Sequence, residues 1–143
     1  MTNRIYLEIT ERVSFADGYE FEGAGIYERL AGRAHFAVDP GVPANAGICD
    51  IDKAPVNDDG LGEFASDIFI YRPVDPDKAN KRVFYDYGNR GNQWAIQFFN
   101  DAPPSNAPLS LAEAGNGYLF RRGYTFVCCA WQADLLPGDG RML

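Results

Sequence analysis

Gly88, Asn89, Arg90 and Gly91 follow directly on the apolar run Val83 to Tyr87 and form the loop of this sequence best suited to chemistry. Backbone N–H groups beyond the carboxyl end of a buried strand point to where α/β sheets place their ligands. Two glycines permit both a tight turn and a close approach by a ligand. The spacing is neither G-x-G-x-x-G nor a P-loop, so a phosphate cradle is not expected. A plain glycine turn is the competing reading.

No nucleophile with a suitable local frame accompanies this loop. A serine on a nucleophile elbow needs G-x-S-x-G, and none of Ser14, Ser66, Ser105 and Ser110 has those neighbours. His35, the single histidine, lies between Ala34 and Phe36 in an alternating stretch and reads as a strand residue rather than a general base. Cys49, Cys128 and Cys129 read as reduced structural thiols, the last two pointing to opposite faces of one strand. Asp50, Asp52, Asp58 and Asp59 lack the spacing of a calcium loop, and one histidine without clustered cysteines does not make a zinc site. Glu28, Glu63, Asp67 and Asp86 could pair for glycoside chemistry only at a separation that sequence does not reveal. The expectation is no metal and no cofactor.

The elements around these residues change character along the chain. Ile5, Leu7, Ile9, Val13 and Phe15 alternate with polar residues as in a half-buried strand. Tyr19 to Ala31 reads as a connection with room for a helical turn at Ile26 to Leu30, and Arg33 to Val38 resumes the strand pattern. Ile48 to Asp52 reads as a short strand, Asn57-Asp58-Asp59-Gly60 as a hairpin turn, and Glu63 to Arg72 as the next strand, stopped by Pro73. Val83 to Tyr87 and Tyr124 to Trp131 are nearly continuous apolar runs, expected as parallel strands covered on both faces. Helical stretches at Gln93 to Phe99 and Leu109 to Arg122 would form their crossover. The predicted fold is therefore mixed α/β in a single domain, 1–143: an antiparallel β-rich meander over 1–73 leads into a strand-helix-strand unit over 81–132. A parallel pair calls for further strands and helices beside it. The chain is thus expected to be incomplete, with uncovered apolar surface on the second parallel strand that favours self-association.

Bulk properties narrow the partners. With 20 acidic against 13 basic side chains, a net charge of -7 opposes binding to nucleic acid. No apolar run is long enough to span a bilayer, and the N-terminus does not resemble a secretory signal. A cytoplasmic location is the resulting expectation.

The chain also resembles the N-terminal region of the bacterial alpha/beta hydrolase domain-containing proteins, within the α/β-hydrolase superfamily. The resemblance runs over nearly its full length: SFADG at 14–18, YERLAGRAHFAVDP at 27–40, YRPVDP at 71–76, FYDYGNRGN at 84–92, FFNDAP at 98–103 and GNGYLFRRGYTFVCCAWQADL at 115–135. It implies hydrolysis of a small ester-like substrate by a serine, a histidine and an acid, all three beyond Leu143, so that the chain alone is inactive. It further implies that Gly88, Asn89, Arg90 and Gly91 are the oxyanion loop, although they depart from the His-Gly-Gly type of lipases. For that role an N–H, of Asn89 or Arg90, must be unpaired, and Arg90 either orients the loop through a carboxylate such as Asp86 or Asp101 or adds positive potential near the site. Each oxyanion donor in a working site contributes about 3–4 kcal/mol. The alternative is a non-catalytic β-rich binding or accessory module, for which the aromatic residues supply contacts.

Overall fold

Runs of β-branched and aromatic residues broken by turn-forming residues build five strands and little helix. The computed structural model describes residues 4–143. Strands β1 (Arg4–Ser14), β2 (Tyr27–Val38) and β3 (Gly62–Pro73) form an antiparallel meander. Strand β4 (Val83–Asp86) is followed by helix α1 (Ala95–Phe99) and, after two 3-10 turns, by β5 (Thr125–Cys129). The last strand inserts between its predecessors, antiparallel to β3 and parallel to β4, so the sheet runs β1-β2-β3-β5-β4. Val83 lies opposite Thr125 and Asp86 opposite Cys128, which is the parallel pairing expected of the two apolar runs.

The alternation read in β1 does not keep one face. Register shifts between Ile9 and Glu11, and this bulge inverts the parity of the strand. Phe15 consequently enters the core, whereas Ile5, Leu7 and Ile9 turn to the opposite side and remain 67%, 50% and 41% exposed. Gly32 faces the bulge, where a Cβ would lie 1.9 Å from the Glu8 carbonyl oxygen. Only a glycine lets the two backbones meet there.

Four further expectations are corrected. Strand β2 begins at Tyr27, where a connection with a helical turn was expected; Arg29 interrupts the apolar alternation, yet it is buried by bonding Glu11 and the Ala107 carbonyl while lying over the Phe69 ring. Ile48 to Asp52 is not a strand, because β2 is already paired with β3 as far as Val38 opposite Gly62; Ile51–Lys53 winds a 3-10 turn instead. Asn57 to Gly60 does turn, with the Asn57 Oδ1 accepting from the Asp59 and Leu61 N–H groups at 3.0 Å, but inside a long loop rather than a hairpin. Leu109 to Arg122 forms only the 3-10 turns Ala112–Ala114 and Phe120–Arg122, separated by Gly115 at φ 60° and ψ -138°.

One face of the sheet carries the core. Phe15, Phe21, Tyr27, Tyr71, Phe120 and Phe126 pack there with the 3-10 turns and α1 above them. Phe120 lies 5.0 Å from the rings of Phe15, Phe21 and Tyr27. Each such side chain stabilises by about 1.5–3 kcal/mol on burial. The Tyr27 hydroxyl donates to the carbonyls of Phe120 at 3.0 Å and Tyr124 at 2.9 Å, and burial raises its pKa. Met142 joins this core, and Leu143 exchanges backbone and carboxylate bonds with Asp67 beside the end of β5.

The other face is bare. Ala34, Ile68 and Cys129 cluster on it, buried, with partly buried Phe36, Ile70 and Val127, while Ile5, Leu7, Ile9, Phe64 and Tyr85 around them stand exposed. Cys128 and Cys129 thus point to opposite faces, as alternation requires. Strand β4 was expected to be covered on both sides but is the sheet's edge, with Val83, Tyr85 and Tyr87 exposed. Cys49, read with the other two as a structural thiol, is exposed. Among the described residues no helix is long and apolar enough to cross a membrane.

Candidate functional site

Because β4 and β5 are parallel, their carboxyl ends open on the same end of the sheet, the general location of ligand sites in open α/β sheets. Asp86, the last residue of β4, organises the loop beyond it. Its Oδ1 accepts from the Gly88 N–H at 2.8 Å, and its Oδ2 accepts from the N–H groups of Trp94 and Ala95, both at 2.7 Å. One buried carboxylate therefore closes the loop at both ends and starts α1. The signal for this was present in the sequence as Asp-x-Gly after a strand, the pattern of an Asx-turn.

Within the loop, Gly88, Arg90 and Gly91 all have positive φ, at 57°, 53° and 78°. A Cβ at Gly88 would come 2.6 Å from the Asn92 oxygen, and one at Gly91 would come 2.7 Å from the Met142 oxygen. The expectation that Asn89 or Arg90 keeps a free N–H is corrected. The Asn89 N–H donates to the Asn92 carbonyl at 3.3 Å, and the Arg90 N–H donates to the Gln132 side-chain oxygen. Among the described residues Gly91 is the loop member whose N–H makes no hydrogen bond. The Arg90 guanidinium faces Asp134 at 3.9 Å rather than Asp86 or Asp101. Asp86 is already committed to backbone donors.

Beside the loop lies an open hollow of about 750 Å³ walled by Phe84, Tyr85, Trp94, Phe98, Phe99 and Trp131. Both tryptophans of the chain line it. Trp131 and Gln132 extend from β5, and the Trp131 indole N–H donates to the Gly88 carbonyl at 3.4 Å. Their part in the site was not read from sequence. It depends on two strand ends, forty-odd residues apart, becoming neighbours in a parallel pair.

The other candidates stay apart from this site. His35 stacks on Tyr6, with centroids 4.5 Å apart, and bonds Glu8 at 3.0 Å on the meander. Ser66 points to the bare face, 3.4 Å from the Cys129 sulfur, while Ser105 and Ser110 both donate to Glu113. The Cys128 thiol is pushed well up, by burial first and then by Asp86 and Cys129, which keeps it protonated and unreactive. Glu28 is held by Arg12 and Arg72, Glu63 by Asn57, and Asp50 by Lys53. Among the described residues no cluster of three histidine, cysteine or acidic residues could hold a metal ion.

No family profile, curated protein or solved structure matches the chain.

Proposed function

We propose that this chain is the oxyanion-loop part of an α/β-hydrolase-like acyl hydrolase acting on a small carboxylic ester, with the nucleophile, base and acid supplied by further polypeptide. The observation that carries this reading is the juxtaposition, at the carboxyl ends of a parallel pair, of an Asp86-tethered glycine loop and an aromatic hollow. The hollow would take the hydrocarbon part of the ester. The Gly91 N–H makes no hydrogen bond among the described residues, although Gly91 lies against the Met142 backbone beside the hollow rather than in its wall. The Arg90 N–H becomes available to a developing oxyanion once the Gln132 amide swings away, a side-chain motion that leaves the backbone in place. Asp86 contributes by positioning, since a loop fixed before the substrate arrives needs no reorganisation as charge develops.

A second reading, a non-catalytic binding module, is favoured by the bonds that Asn89 and Arg90 already make. Phenylphosphonate, a tetrahedral anion bearing a ring, separates the two. Titrated into the ¹⁵N-labelled chain, it is expected to shift the Arg90 and Gly91 amides saturably and to change tryptophan fluorescence. A fluorescence change without those amide shifts would leave only the binding module. No response at either position would remove both. The purified chain is also expected to hydrolyse aryl acetates at the buffer rate. Turnover abolished by substituting Cys49 or one of the serines would defeat the assignment of the nucleophile to other polypeptide.

A further inference from the structure

We infer that the bare face of the sheet is the interface of a homodimer, in which two copies stack these faces as a two-sheet sandwich. The inference does not rest on the proposed hydrolase reading, and the two surfaces share Tyr85 at the β4 edge. The pairing registers set Ile5, Leu7 and Ile9 of β1 on the same side as Phe36, Phe64 and Ile68, and Val83 and Tyr85 of β4 at the far edge. Phe64 is 56% exposed and Tyr85 53% exposed, although Phe64 already stacks on Phe36 at 4.8 Å. The apolar strip therefore crosses every strand.

Charge distribution selects a second copy as the occupant. On the strands, the charged side chains on this side are Arg12, Glu28 and Arg72, gathered at one end with Glu28 between the arginines at 3.4 and 2.8 Å. Glu8, Glu11, Glu63 and Asp67 point to the opposite side. In a chain of net charge -7, the bare face is thus where two copies can meet with little repulsion. Its uncharged centre and ion-paired end match the apolar core and polar rim of a protein interface. The same patch on both partners satisfies a two-fold contact.

Area supports the same occupant. Exposed groups on this side lie on β1, β3 and β4, namely Ile5, Leu7, Ile9, Phe64, Val83 and Tyr85, around a centre in which Leu30, Ala34, Ile68 and Cys129 are already buried. With each aromatic side chain able to bury roughly 150–250 Å², covering them reaches several hundred Å² toward the ~800 Å² per partner of a standard interface. Monomers seldom leave more than a few hundred Å² of contiguous apolar surface open. Two twisted sheets stack about 10 Å apart with strands inclined at about 30°.

Sedimentation velocity and light scattering on the full chain over about 1–100 µM test this inference. A dimer is expected, and Leu7→Lys or Phe64→Lys, on different strands, should each raise its dissociation constant at least roughly tenfold. Tyr6→Lys, one residue from Leu7, similarly exposed but facing the other way, should leave it unchanged. Far-ultraviolet circular dichroism checks that each variant keeps its sheet, and two substitution sites keep the test open if one variant fails to fold. A monomer throughout the range, open-ended polymers, or a dimer weakened by Tyr6→Lys as much as by Leu7→Lys would overturn the inference.

Discussion

The two faces of one sheet have been finished differently. On the core face, large rings interlock beneath 3-10 turns, and long polar side chains enclosed there are tethered: the Tyr27 hydroxyl meets two carbonyls and the Arg29 guanidinium meets Glu11 and Ala107. On the bare face, Ala34, Ile68 and Cys129 are buried, but the apolar residues around them in the same sheet, Ile5, Leu7, Ile9, Phe64 and Tyr85, stand exposed. The difference teaches that hydropathy marks a surface to be covered without saying whether the cover is local. Turns between sequential elements supplied it on one side only.

The largest expected effect is a contrast across the sheet. Phe120→Ala removes the ring at the centre of the aromatic cluster and should cost about 3–5 kcal/mol. Phe64→Ala, measured by denaturant unfolding at concentrations where the chain is monomeric, should cost less than about 1 kcal/mol. Equal losses would show that the two faces are equally packed. Next in size is Gly32→Ala, whose added methyl would lie against the Glu8 carbonyl. It should destabilise by about 1–3 kcal/mol and release Arg4 to Ile9 from amide-exchange protection while the aromatic core stays protected. Protection retained along β1 would mean that the bulge tolerates a side chain.

The smallest effect concerns the cover itself. Burial would raise the Glu113 pKa, but hydrogen bonds from the Leu109 and Ser110 N–H groups and from the Ser105 and Ser110 hydroxyls outweigh it and lower the value from 4.5 to about 2. A folded-state pKa below the unfolded one stabilises above about pH 4.5, and that contribution is lost as pH falls toward 2. Glu113→Gln should therefore flatten the acid limb of stability in that window and cost about 1 kcal/mol at neutral pH. An acid limb as steep as in the parent would show that Glu113 does not hold this loop.

Legibility followed the range of the forces involved. The meander, the parallel pair and the glycine loop could be read because alternation, continuous apolar runs and turn residues are local signals. The parity inversion in β1 could not, since the bulge is accommodated by Gly32 on another strand. Arg29 looked like a break in β2 because its burial depends on Glu11 and a distant carbonyl. At the candidate site, the loop and its glycines were evident, and Asp86 was signalled by its place before a glycine turn. Gln132 was invisible in this role. Only the insertion of β5 beside β4 brings its side chain to the Arg90 N–H.

That insertion also sets an order of events in time. Strand β4 emerges from synthesis before β5, yet its neighbour in the sheet is β5. Until β5 has been made, the earlier strand has no neighbour to pair with. The bonds that Trp131 and Gln132 make to the glycine loop consequently require the strand that carries them to have joined β4, whereas the Asp86 knot uses only residues within the same stretch. During that wait an apolar, unpaired strand is exposed, the kind of segment on which chains misassociate while they fold.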